Sequence, residues 1–232
     1  MSRGVVGWCV GHGVALALVV SAAAGGQTPA TEATSFERLQ PIEAYLMTDR
    51  AAEIALARSA APESIAAGAE VLVLGRNGYQ SAAKGTNGFV CLVERSWMSQ
   101  YTDPYFLNPA VRGPMCLNPS AARTHIPLVT KATAWVLAGL SKAQMYDSIT
   151  VAYATKALPM PDAGSMCYMM SKQQYFGAKV GNAGPHLMFW FPRNLAVQWG
   201  GGASGSPVTV QQDSPDPITT YFVSVAKWSD GT

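Results

Sequence analysis

Residues 69–96 read AEVLVLGRNGYQSAAKGTNGFVCLVERS, and the fold turns on how this stretch pairs. Val71 to Leu74 is a short apolar run of buried-strand length, half of it β-branched. Arg76-Asn77-Gly78 is a hairpin signal, because a tight two-residue turn needs backbone conformations that asparagine and glycine tolerate. Thr86-Asn87-Gly88 repeats it. From Phe89 to Arg95 the residues alternate: Phe89, Cys91 and Val93 face one way, and Val90, Leu92 and Glu94 the other. Three sequential antiparallel strands are the simplest arrangement.

Upstream, Pro41 opens PIEAYLMTDRAAEIALARSAA, which predicts one helix that Ala61-Pro62 ends. Downstream, Trp97 to Pro119 is rich in Pro, Asn and aromatic residues without a period, and reads as a long loop. Asn118-Pro119 caps a helix that Pro127 is expected to interrupt, with a second piece through Trp135 to Ala138 and a stop at Gly139. Ser141-Lys142-Ala143-Gln144 matches a capping box, and Met145, Ile149, Ala152 and Tyr153 then share one helical stripe. The last third returns to strand patterns: SMCYMMS, HLMFWF, PVTVQQ and ITTYFVSVAKW, separated by Gly, Pro and Asp. The order of elements predicts an α+β fold, a largely antiparallel sheet with helices packed on one face.

The first residues read as an export signal. Arg3 is the positive start, Val5 to Val20 the apolar run, and Ala22-Ala23-Ala24 the small-residue cleavage site. The expected organisation is a signal peptide at 1–24, a flexible lead-in at 25–40 and a single domain at 41–232, secreted or periplasmic. No later run reaches the roughly 20 apolar residues of a membrane span. The formal charge of +2 is spread singly along the chain. Without a basic patch the counterion-release contribution to nucleic-acid affinity is missing, so DNA and RNA are not expected partners. Beyond the leader stand Cys91, Cys116 and Cys167. Export favours one disulfide and one leftover thiol. Cys91 with Cys116 is the expected pair, since it would clip the irregular segment between them; sequence leaves pairings with Cys167 open.

Gly200-Gly201-Gly202-Ala203-Ser204-Gly205 matches the letters of a dinucleotide fingerprint but not its setting. Pro207 and a strand-like run follow where a helix N-terminus would have to hold a pyrophosphate. Beyond the leader only His125 and His186 remain, so a three-histidine zinc site is impossible and H-E-x-x-H is absent. Met166, Cys167, Met169 and Met170 are ligand types that copper(I) favours, but alternation splits them between two faces. No cofactor or metal is expected.

His125, just before Ile126-Pro127, reads as a surface or helix-end residue. His186 follows Gly184-Pro185 at the head of an apolar strand. Its commoner role is a packed strand tip. Its functional role needs partners, and the strand ends at Glu94 and Lys172 are the candidates. The expected site is therefore His186, Glu94 and Lys172 beside the aromatic loop that starts at Trp97, with a small-molecule ligand as the partner. A metal-free hydrolase with His186 as general base and Glu94 orienting it is the alternative, and a structural envelope-associated role the third.

The ordered set KGTNGFVCLVERSW, PMCLNP, MCYMMSK and GPHLMFW resembles a group of uncharacterised secreted bacterial proteins. The likeness spans about Lys84 to Trp190. It implies export and a shared fold, and it carries no known activity and no functional residue.

Overall fold

The computed structural model describes residues 39–193, 199–212 and 216–232. The expected leader, and the expected lead-in as far as residue 38, lie outside the described residues. The elements run α1 (Arg50–Arg58), α2 (Glu63–Ala66), β1 (Glu70–Gly75), β2 (Gly78–Ala83), β3 (Val90–Glu94), β4 (Gly113–Leu117), α3 (Pro119–Leu137), α4 (Lys142–Ala154), β5 (Met166–Met169), β6 (His186–Pro192), β7 (Val208–Gln211) and β8 (Ile218–Ser224). The strands form an eight-stranded sheet in the order β2-β1-β3-β4-β5-β6-β8-β7. Every pairing is antiparallel except that of β1 with β3. The chain is thus an α+β protein with a largely antiparallel sheet.

The three-strand meander expected from 69–96 does not form. β1 and β2 make the hairpin, closing at Gly75 and Gly78, and Gly78 takes a φ of 101°. β3 instead joins the other edge of β1 in parallel, with Glu70 opposite Val90. Residues 84–89 carry the chain across the head of β1. Thr86 N–H donates to the Gly68 carbonyl at 2.7 Å, and Glu70 N–H to the Phe89 carbonyl at 2.9 Å. The crossing is tight enough that a Cβ on Gly85 would lie 2.3 Å from Glu70 N.

β4 emerges inside the segment that sequence reads as loop. Pro114 hides it, since proline has no N–H for a sheet ladder. Val93, its partner in register, has its carbonyl satisfied otherwise: the Tyr79 hydroxyl donates to it at 2.7 Å, and so does the Arg95 guanidinium. Two helices also differ from expectation. α1 begins at Arg50 rather than near Pro41, because the Asp49 carboxylate accepts from Ala51 N and Ala52 N and so caps the first turn. α3 runs unbroken through Pro127, and its buried stripe from Ala121 to Val136 holds it together. The Ser141–Gln144 capping box opens α4 as expected, with Met145, Ala152 and Tyr153 buried.

Alternation along the strands sends side chains to two layers. Val71, Val73, Cys91, Val93 and Cys116 meet Leu56 and Ala57 of α1. On the opposite face Leu92, Met115, Leu117, Cys167 and Met169 meet Ala121, Leu128 and Val129 of α3 and Ala152 and Tyr153 of α4. A buried ion pair locks α1 to the sheet: Arg95 donates to Glu53 at 2.7 Å, and Leu74 N–H donates to the same carboxylate oxygen at 3.1 Å.

Cys91 and Cys116 stand opposite one another on β3 and β4 and form the expected disulfide, 25 residues apart in sequence. Closing a loop of that size stabilises the fold by roughly 3 kcal/mol in the chain-entropy model. Cys167 pairs in register with Leu117, so it points to the other face and cannot exchange into the bridge. It is a buried free thiol, and burial pushes its pKa well up. No helix among the described residues is long and apolar enough to cross a membrane.

Candidate functional site

α3 packs over β2, β3, β4 and β5, and the sheet continues beyond it as β6, β8 and β7. Met188 and Trp190 of β6, Thr220 and Phe222 of β8, and Thr209 of β7 floor a cleft of about 430 Å³ over that continuation. α3 and α4 supply His125, Leu128 and Met145 to its wall, and the aromatic loop supplies Trp97, Tyr101 and Phe106. The volume suits a small ligand, and the mixture of apolar wall with a few polar groups is typical of such sites.

Trp97 is buried, and its indole Nε1–H donates to the Thr133 hydroxyl at 3.1 Å. Tyr45 fixes the loop from the other side: its hydroxyl donates to the Leu107 carbonyl at 2.6 Å, and its ring packs 5.1 Å from that of Trp97. Lys142, at the start of α4, places its ammonium 4.9 Å from the Tyr101 ring centre and 5.0 Å from that of Phe106. The aromatic loop is therefore held at three points.

The polar centre of the wall is a pair that sequence reading did not assemble. Glu94, at the end of β3, accepts from His125 Nε2–H of α3 at 3.0 Å. Both side chains are mostly buried, 13% and 14% exposed. The His125 ring stacks on Trp190 with centres 4.6 Å apart and planes 21° from parallel. His125 is thus neither a surface nor a helix-end residue. It sits mid-helix on the buried stripe because α3 does not break at Pro127.

His186 also lines the cleft, but apart from Glu94. β4 and β5 lie between their strands, which separates them by about 14 Å at ordinary strand spacing. His186 is 6% exposed, its Nδ1 hydrogen-bonds the Gly184 carbonyl at 2.8 Å, and its ring packs against Phe222. Only a protonated Nδ1 can bond a carbonyl, so the neutral ring carries its lone pair on Nε2. Burial pulls the pKa of His186 below its ordinary value.

Lys172 does not join this site. Its ammonium pairs with Asp230 at 2.7 Å on the exposed surface, and it is not among the cleft's lining residues. Just after β5 the chain turns away, so the expected meeting of Glu94, Lys172 and His186 at one rim does not occur. The cleft joins Glu94, His186 and Trp97 and adds His125 and Trp190.

Among the described residues no group of three or more His, Cys, Asp or Glu side chains is placed to hold a metal ion. Cys167 and Met169 point to the cleft side of the sheet, while Met166 pairs with Phe189 on the alternate parity. The glycine run 200–205 leads into β7, and Gly201 packs where a Cβ would meet Val210 at 2.2 Å. Compared with family models, curated proteins and solved structures, the chain has no significant match. What the cleft does must therefore be read from its own chemistry.

Proposed function

We propose that this chain is an exported protein that binds a small, largely apolar molecule in the cleft over β6, β8 and β7. The observation that carries the reading is the uncovered half of the sheet face. A cleft of about 430 Å³ stands there, walled by a fixed aromatic loop and provided with two differently held histidines. Methionines 98, 145, 169 and 188 line it as well, and their flexible side chains adapt to an irregular ligand. Export is supported by the leader-like residues 3–24 and by the Cys91–Cys116 disulfide, a bond that persists in oxidising compartments. The test is a native mass spectrum of the protein recovered from its own host, beside Trp190→Ala. A co-purifying small molecule that the variant loses supports binding in this cleft. A ligand retained in full by the variant counts against it.

A second reading, acid–base catalysis, is favoured by the Glu94–His125 pair, since a carboxylate that fixes one imidazole nitrogen orients the other. It moves the general base from His186 to His125. Binding leads because neither histidine is hydrogen-bonded to a serine, threonine or cysteine among the described residues.

A further inference from the structure

We infer that the occupant of this cleft is a neutral, hydroxyl-bearing molecule, an alcohol or phenol on an apolar body, with its O–H donated to His186. The inference rests on the cleft being the binding site and names the group that the site orients. His186 opens β6, with Met169 of β5 opposite it on one side and Ser224 of β8 on the other. Residues directly opposite on neighbouring strands share a face, with Cβ atoms about 4.5–5.5 Å apart. All three line the cleft, as do Met188 and Phe222, the next pair along the same face. At this corner the sheet therefore offers two polar side chains, His186 and Ser224, on an apolar floor.

Their chemistry complements a hydroxyl. The Gly184 carbonyl can only accept, so His186 donates to it through Nδ1–H and presents Nε2 as an acceptor. The Ser224 hydroxyl both donates and accepts. Among the described residues neither Nε2 nor that hydroxyl has a hydrogen bond. The Glu94–His125 pair, by contrast, is already closed on itself. A ligand O–H donates to Nε2 and its oxygen accepts from Ser224, which replaces the water bonds that both groups lose on desolvation. A ligand ether or carbonyl oxygen also accepts from Ser224 but leaves the Nε2 lone pair unmatched, and an unmatched buried acceptor weakens binding. His186 is 6% exposed and burial holds its pKa low, so at neutral pH the ring does not take up a proton to meet such a ligand. An ammonium would also donate to Nε2, but its charge would be desolvated against neutral neighbours.

The experiment titrates the full chain with phenylbutanol and with its methyl ether, following tryptophan fluorescence. Only the alcohol has a proton to donate, and it is expected to bind about tenfold tighter. His186→Phe keeps a ring against Phe222 and removes the acceptor, so it is expected to bring alcohol and ether to equal affinity. Ser224→Ala, at an exposed strand end, is expected to weaken the alcohol about threefold. It carries the test with the wild-type ranking if His186→Phe fails to fold. An ether that binds as tightly as the alcohol overturns the hydroxyl assignment. So does a gap that survives in His186→Phe, or an alcohol that Ser224→Ala binds undiminished, and in each case the cleft reading survives. If neither probe binds at millimolar concentration, the cleft reading falls with the hydroxyl assignment.

Discussion

His125 and His186 line one cleft and are held by opposite means. His125 is tied through Nε2 to a carboxylate, whereas His186 is tied through Nδ1 to a backbone carbonyl and packed against Phe222. The second arrangement has a consequence for stability. Burial lowers the pKa of His186, so in acid the unfolded chain takes up a proton that the folded chain refuses. The unfolded state then binds more protons, and stability rises with pH through that window. The contribution is complete above the ordinary histidine value of about 6.5 and is lost as pH falls below it. His186→Gln is expected to flatten the profile: urea unfolding from neutral pH down to about pH 5 should show wild type losing stability more steeply than the variant. Equal slopes would mean that His186 ionises as freely folded as unfolded. Little of this was legible in sequence. The Gly184-Pro185-His186 start marked a strand tip, but the carbonyl that fixes its tautomer needed the turn itself.

At the scale of elements, the sheet and helices are held by a few long-range fasteners. Glu53 of α1 receives both Arg95 and Leu74 N–H, joining the helix to β1 and to the end of β3. Removing one partner of a buried pair leaves the other charge uncompensated. Glu53→Ala is therefore expected to destabilise the protein by roughly 3–5 kcal/mol, read from chemical denaturation. A loss below about 1 kcal/mol would mean that Arg95 finds water or a new acceptor. Signals that work within a few residues were readable: the Asn77-Gly78 turn, the Ser141–Gln144 box, the alternation in β3 and the Cys91–Cys116 pairing. Others failed because a distant contact decides them. β3 pairs in parallel with β1 only because residues 84–89 cross the head of β1, and β4 tolerates Pro114 only because Tyr79 and Arg95 satisfy the carbonyl opposite. The Glu94–His125 pair did leave a trace. Ala121, His125, Leu128 and Ala132 fall at helical spacing on one stripe, which an unbroken α3 would have exposed.

For the molecule as a whole, uneven coverage of the sheet is what creates the site. α1 covers one face of β1, β3 and β4, and α3 covers the other face from β2 to β5. β6, β8 and β7 extend past α3, and there the same strand alternation that builds the core elsewhere lines a cleft instead. Phe189, Phe191 and Tyr221 stand on the alternate parity of β6 and β8, and Trp199, 40% exposed, packs against them. The two aromatic surfaces make competing forecasts for where an apolar ligand goes. The measurement that decides is a crystal structure of the full chain grown with phenylbutanol, a small and largely apolar probe. The account predicts the ring inside the cleft, against Trp190 and Phe222. A ring seated on Trp199 and Phe191, with only solvent in the cleft, would contradict it.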